Sequence, residues 1–180
     1  MKMMIPTLID CQRVRIWRNS WLISLRTPYE LTEEMQEEFY ENIIAKRDSV
    51  HKYWSIYDGD KFVAFGGITN IQHENKLGEI SLIVNPEFVK QGYGSKSVDL
   101  LLDKAFNYLN IKTVFGECYM CNPVIGFWEK IIEKYKGYKT ELPNRKFWNG
   151  LYYASMYFSI DATSFPQHEY ESKQEWVYGA

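Results

Sequence analysis

One stretch limits the possible folds of this chain more than any other: Val84-Asn85-Pro86-Glu87-Phe88-Val89-Lys90-Gln91-Gly92-Tyr93-Gly94-Ser95-Lys96. An apolar segment from Gly78 to Val84 reads as a strand and stops at a proline. Two closely spaced glycines follow. A strong helical period then starts at once, with Val98, Leu101, Leu102, Ala105, Phe106 and Leu109 at i, i+3, i+4, i+7, i+8 and i+11. A strand that turns through glycines into a helix leaves the first helical N–H groups unpaired and pointing one way. With the helix dipole they make an anion site. Glycine permits close approach and positive φ, and Lys90 and Lys96 add positive charge. The guest this implies is a phosphate or pyrophosphate. A glycine turn that merely caps a core helix is the plainer alternative.

The rest of the chain supplies a frame for that turn. Asp10 is expected to cap a first helix, with Val14, Trp17 and Trp21 on one face, broken by Thr27-Pro28. Thr32 is expected to cap a second, with Met35, Phe39 and Ile43 inward. Its acidic face, Glu33 to Glu41, reads as solvated. Tyr53–Tyr57 and Phe62–Phe65 flank Asp58-Gly59-Asp60 as a hairpin. Gly66-Gly67 marks a bulge or a close backbone approach. After the long helix come a strand from Thr113 to Met120 and a helix opened by Asn122-Pro123, running to about Lys134. Two last strands, about Tyr138–Leu142 and Leu151–Ile160, complete the series. The order α-α-β-β-β-α-β-α-β-β means an α/β (α+β) fold, a mixed sheet flanked by helices. Residues 1–160 read as one domain and 161–180 as a polar tail with four aromatics, Phe165, Tyr170, Trp176 and Tyr178.

Bulk properties exclude several classes. The formal net charge is −2, so no general basic field exists to hold nucleic acid. No apolar run is long enough for a membrane span. The opening residues lack a signal-peptide core, and three cysteines suggest no disulfide framework; a reducing cytoplasm is the expected location. Nothing in the sequence points to an oligomeric state.

Which phosphate ligand is meant follows from what fails. The dinucleotide pattern G-x-G-x-x-G breaks at Ser97, and the P-loop pattern breaks because Ser95, not Gly, precedes Lys96-Ser97. What remains, Val89-Lys90-Gln91-Gly92-Tyr93-Gly94, resembles the acetyl-CoA pyrophosphate loop Q/R-x-x-G-x-G/A of the GNAT acetyltransferases, with Val89 in place of the first residue. A second stretch, Glu117-Cys118-Tyr119-Met120-Cys121-Asn122 followed by Phe127-Trp128-Glu129-Lys130, resembles that family's E-x-x-x-x-N and F-Y-E-K segments, with Trp128 where the family has Tyr. The resemblance covers about Ile56 to Ile160. Trp17-Arg18-Asn19 and the paired helices up to Arg47 resemble the branch of ribosomal-protein and amino-sugar N-acetyltransferases.

The resemblance implies a mostly antiparallel sheet splayed between two strands, with acetyl-CoA in the gap and no metal. It implies that the backbone of Val89 to Lys96 (Val89, Lys90, Gln91, Gly92, Tyr93, Gly94, Ser95, Lys96) holds the pyrophosphate. Asn122 would bond the pantetheine, and backbone N–H groups near Ile83 and Val84 would polarise the thioester. Trp128 would lie near the acetyl sulfur, where an indole can donate a hydrogen bond but cannot titrate. The attacking amine must be neutral, which calls for a base: Glu117, or Glu79 at the start of the preceding strand. The acceptor would enter between the N-terminal helices and the last hairpin. There Arg145-Lys146 could grip a phosphate, and the acidic helix could instead favour a cationic peptide. The overall charge favours a small amine, such as a nucleotide-linked amino sugar, over a basic protein N-terminus. A non-catalytic acyl-CoA-binding module and an unrelated nucleotide-binding domain are the rival readings. Cys118-x-x-Cys121 has metal or redox spacing but no second pair, and His51, His73 and His168 form no pattern.

Overall fold

The structure, a computed structural model, describes residues 1–166. Seven strands form one sheet in the order β1-β2-β3-β4-β5-β7-β6. They are β1 Lys2–Met4, β2 Lys52–Asp58, β3 Lys61–Gln72, β4 Leu77–Val84, β5 Thr113–Tyr119, β6 Tyr138–Trp148 and β7 Leu151–Asp161. Every neighbouring pair is antiparallel except β4 and β5. Four helices complete the fold: α1 Leu8–Asn19, α2 Glu33–Phe39, α3 Tyr93–Asp103 and α4 Ile125–Lys134. The mixed sheet and the helix–strand order agree with the sequence expectation, apart from β1. That three-residue edge strand, paired through Lys2↔Tyr57, is too short to show a period.

Helices cover both faces of the sheet. On one face Cys11, Val14 and Trp17 of α1 pack with Phe62 and Phe65, and Tyr53, Tyr57 and Ile83 join the cluster. On the other, Val98, Leu101 and Leu102 of α3 and Ile131 and Ile132 of α4 bury Ile68, Ile80, Val114 and Phe158. A bulge between β2 and β3 explains how Phe62 and Phe65, three apart, share a face: Ile56 pairs with Ala64 but Tyr57 with Phe62, leaving Val63 extra.

Several local expectations shift. Thr7, not Asp10, caps α1; Asp10 sits at the third helical position and completes a reciprocal capping box. The helix ends at Asn19, leaving Trp21 outside it. Thr32 does cap α2, but Gln36 is its buried residue and Met35 is exposed. Gly66-Gly67 is a close approach rather than a bulge, since a Cβ on Gly67 would stand 2.3 Å from the Lys52 carbonyl oxygen. Helix α4 begins at Ile125, after Pro123. The last hairpin is longer than expected and turns at Asn149 and Gly150, φ 47° and 82°, the left-handed pair a tight hairpin needs. Phe165 packs on Phe106 and Tyr135. Tyr170, Trp176, Tyr178 and His168 lie outside the described residues.

Candidate active site

The sheet comes apart in its middle. Strands β4 and β5 pair only at Leu77↔Thr113, Gly78↔Val114 and Glu79↔Phe115. Beyond that point β4 runs on to Val84 and β5 to Tyr119 without pairing to each other. Parallel strands at a sheet centre normally keep their ladder, because unpaired backbone groups are costly when buried. Here alternate N–H and C=O groups of Ile80 to Val84 face a gap that a ligand with amides of its own can fill.

A cleft of about 370 Å³ opens at this splay. Glu79 to Ile83 and Glu117 to Tyr119 line it from the two diverging strands, and Asn122, Trp128, Arg18 and Ser24 to Arg26 complete the lining. The structure thus brings Glu79, Ile83, Glu117, Asn122 and Trp128 together around one space, although they are far apart in sequence. Val84, the last residue of β4, and the loop from Val89 to Lys96 that follows the strand lie outside this lining.

That loop is built for an anion. Asn85, buried, donates to the Phe62 carbonyl and accepts from Glu87 N–H at 3.0 Å, which fixes the exit from β4. Pro86–Phe88 makes a 3₁₀ turn. Lys90 (φ 62°) and Gly92 (φ 82°) are both left-handed, the alternation that turns successive N–H groups into a concave nest. Gly92 caps α3 with no side chain hydrogen-bonded to the helix start, so the first-turn N–H groups of Tyr93, Gly94 and Ser95 remain available. A Cβ on Gly94 would stand 3.2 Å from the Phe127 ring, so the starts of α3 and α4 are close neighbours.

The two carboxylates lie on the diverging strands and are joined by one cation. Arg26 Nη2 hydrogen-bonds Glu79 Oε1 and lies 3.6 Å from Glu117 Oε2. Asn70 donates to Glu79 Oε2 at 2.6 Å. Glu117 Oε1 accepts from Arg145 Nε at 2.9 Å and from Ser155 Oγ at 2.7 Å. Burial alone would raise the Glu117 pKa; the Arg145 and Ser155 hydrogen bonds, with the charges of Arg145 and Arg26, outweigh it and hold Glu117 below the ordinary carboxylate value. Tyr119 beside it is buried, and burial and the Glu117 charge raise its pKa, keeping the phenol protonated.

The basic pair expected to grip a phosphate is already engaged. Arg145 is bonded to Glu117. Lys146 is 5% exposed, donates to the carbonyls of Leu22 and Leu25, and lies over the rings of Tyr119 and Trp148. It fastens the loop after α1 to the last hairpin. Nor does the acidic helix reach the cleft: no residue of α2 lines it. Cys11, Cys118 and Cys121 are free thiols, and burial pushes Cys118 up to about 12. No group of His, Cys, Asp and Glu with metal-holding geometry occurs among the described residues. No helix among them is long and apolar enough to cross a membrane.

Sequence reasoning did not single out Arg26, Ser24 or Tyr119, and it took Arg18 only as part of a local resemblance. Their roles depend on pairings across the fold. Arg26 finds Glu79 over 53 residues, and no local pattern encodes that.

Trp128 packs with its ring centroid 5.1 Å from those of Phe127, which it meets edge to face, and Phe158, to which it is tilted, and it still reaches the cleft. Its fluorescence should therefore change on titration with acetyl-CoA. Trp128→Tyr should keep the packing and keep or raise activity. Trp128→Ala should open a hole and cost about 3–5 kcal/mol of stability. A folded, CoA-binding but inactive Trp128→Tyr would assign the indole a role beyond packing.

Residues 15–132 match the family model described as the acetyltransferase (GNAT) family. A comparison with curated proteins finds no match. Among solved structures, the spermidine N-acetyltransferase of Vibrio cholerae in complex with CoA and spermine is similar at a TM-score of 0.80 and 18% identity, over 91% of this chain and 96% of that one. Mutant forms of the spermidine/spermine N-acetyltransferase SpeG from the same organism give 0.78 and 19%, over 91% and 95%. At that identity the neighbours establish the fold, and the family match spans well over half of the 180 residues. The chain belongs to the GNAT family of acetyltransferases, enzymes that move the acetyl group of acetyl-CoA onto an amine.

Proposed function

We propose that this acetyltransferase acts on a small-molecule primary amine bound on the α1 side of the splay, with acetyl-CoA held along β4 and its pyrophosphate on the Val89–Lys96 nest. The observation that carries the reading is the opening between β4 and β5 beyond Glu79↔Phe115, with the nest at the far end of the same strand. The residues present fit the cosubstrate: unpaired β4 backbone for the pantetheine amides, Asn122 in the cleft lining, and free N–H groups for the phosphates. Acetyl-CoA supplies the activated acyl group when bound. The backbone N–H groups near Ile83 and Val84 would polarise the thioester oxygen. Glu117, kept ionised by Arg145, would draw the acceptor's ammonium into the cleft and take its proton, directly or through a water. Holding both reactants in one cleft supplies the proximity. The spermine complex of the Vibrio cholerae enzyme supports a small-molecule amine as the acceptor class.

The cofactor half is tested by calorimetric titration. Gly94→Val should weaken CoA binding by about tenfold or more, because its side chain would fill the approach to the nest and press on Phe127. Equal affinities in wild type and variant would move the pyrophosphate elsewhere. Thiol release from acetyl-CoA with a panel of amines tests the reaction. CoA binding with no turnover against any amine would favour a non-catalytic binding module.

A further inference from the structure

We infer that Arg18 and Ser24 form a subsite for an anionic group, so that the acceptor amine also carries a carboxylate or a phosphate. This rests on the acetyl-transfer reading above and names the substrate class that reading leaves open.

Among the described residues, three buried side-chain polar atoms lack a hydrogen-bond partner: Arg18 Nε, Ser24 Oγ and Ser97 Oγ. Ser97 lies inside α3, away from the cleft. The other two both line the cleft, one from the last turn of α1 and one from the 3₁₀ turn Leu22–Ser24. Buried polar atoms are nearly always satisfied, and an exception calls for a reason. The exception is sharper for a guanidinium, which cannot shed its charge. Burial lowers the Arg18 pKa from its ordinary value, and no carboxylate offsets that cost. Protein interiors pair their charges, and no ion pair holds Arg18 among the described residues.

The cleft has no carboxylate to spare for it. Both Glu79 oxygens are engaged, one by Arg26 and one by Asn70. Both Glu117 oxygens face cations, Arg145 and Arg26. Two glutamates therefore stand against three arginines that touch the cleft or its carboxylates. A polycation entering here would meet two carboxylates that already share two arginines, and a third guanidinium, that of Arg18, with no carboxylate partner. An amine with an oxyanion would instead place that oxyanion on the Arg18 fork, with the Ser24 hydroxyl as a further donor. Its ammonium would be left to reach Glu117.

The test uses the full chain, acetyl-CoA and matched acceptor pairs that differ by one anionic group. Alanine is set against alaninamide, glucosamine 6-phosphate against glucosamine, and spermidine is included as a polycation. At least one anionic member should exceed its neutral partner by about 100-fold in kcat/KM, and the pair that shows it distinguishes carboxylate from phosphate. Arg18→Met should collapse that ratio to a few-fold through KM while leaving CoA affinity unchanged, and Ser24→Ala should reduce it in part. The apo protein should melt no lower for Arg18→Met than for wild type, because a partly desolvated charge with no carboxylate partner has been removed; a merely structural arginine would give a lower Tm. Neutral partners turned over as well as anionic ones, spermidine as the best acceptor, or a ratio untouched by Arg18→Met would overturn the subsite and leave the acetyl-transfer reading standing. CoA binding without acetylation of any amine would overturn both.

Discussion

Glu117→Gln should lower kcat by about 100-fold or more, the usual scale for loss of a general base, with CoA affinity almost unchanged. Glutamine keeps the shape but loses the charge that Arg145, Ser155 and Arg26 converge on. The group lies on β5, on the same side of the sheet as Arg26, whereas the loop proposed to hold the pyrophosphate lies past the end of β4. The two functions are thus separable by position. Because Arg145 holds the carboxylate below its ordinary pKa, Glu117 is ionised throughout the neutral range. Its own titration should not appear in the kcat profile near neutrality, and any limb there belongs to the acceptor amine. A depressed pKa also makes Glu117 a modest base, so under the proposed role its contribution would lie in orienting a water and drawing in an ammonium as much as in proton affinity. Steady-state kinetics of Glu117→Gln beside Glu79→Gln settles the assignment. An intact kcat in the first and a collapsed one in the second would transfer the role to Glu79.

The parts of this site that were legible in the sequence are those built from neighbours in sequence. The turn around Gly92 could be read because strand, glycine pair and helical period follow one another within some twenty-five residues. Glu117 and Asn122 could be read because a family resemblance fixes their spacing on one strand end. The parts that stayed hidden are set by long-range pairing. Arg145-Lys146 reads in the sequence as a basic pair that could grip a phosphate. The bulge between Leu142 and Lys146, and the Leu22 and Leu25 carbonyls more than 120 residues away, bury the lysine instead. Arg26 sits beside a Thr-Pro break with no pattern of its own, and only the fold sets it between two glutamates. Strand β1 has three residues, fewer than a period-two signal needs, and its place at the sheet edge comes from β2. Conversely, Asp10 was correctly tied to the start of α1 but misplaced by three residues, since Thr7 and Asp10 cap each other and either can look like the cap.

That same aspartate carries a large expected effect on stability. Asp10 is 5% exposed and its carboxylate accepts three hydrogen bonds, from Thr7 N–H at 3.0 Å, from Ser55 Oγ at 3.0 Å and from Tyr57 Oη; its own N–H donates to Thr7 Oγ1 at 3.1 Å, which closes the cap. It therefore fixes both the first turn of α1 and the seat of α1 on β2. Asp10→Ala would leave two inner hydroxyls and the Thr7 N–H without their acceptor, and would remove the reciprocal half of the capping box. Such losses sum to about 2–4 kcal/mol, or roughly 5–15 °C in Tm for a chain of this size. Denaturant unfolding with an unchanged m-value should show it. Burial would raise the Asp10 pKa, but the Thr7 N–H and the Tyr57 and Ser55 hydroxyls win and lower it from 3.8. A carboxyl depressed in the folded state contributes stability that is present above its unfolded pKa and is lost as pH falls through the folded one. The stability gap between wild type and Asp10→Asn should therefore be full near neutral pH and shrink below about pH 4. Arg18 rides on the last turn of the helix that Asp10 seats, so Asp10→Ala should also raise KM for the acceptor while the Kd for CoA, bound through β4 and α3, stays put. A parallel loss of CoA binding would mean that the sheet, and not only α1, had moved.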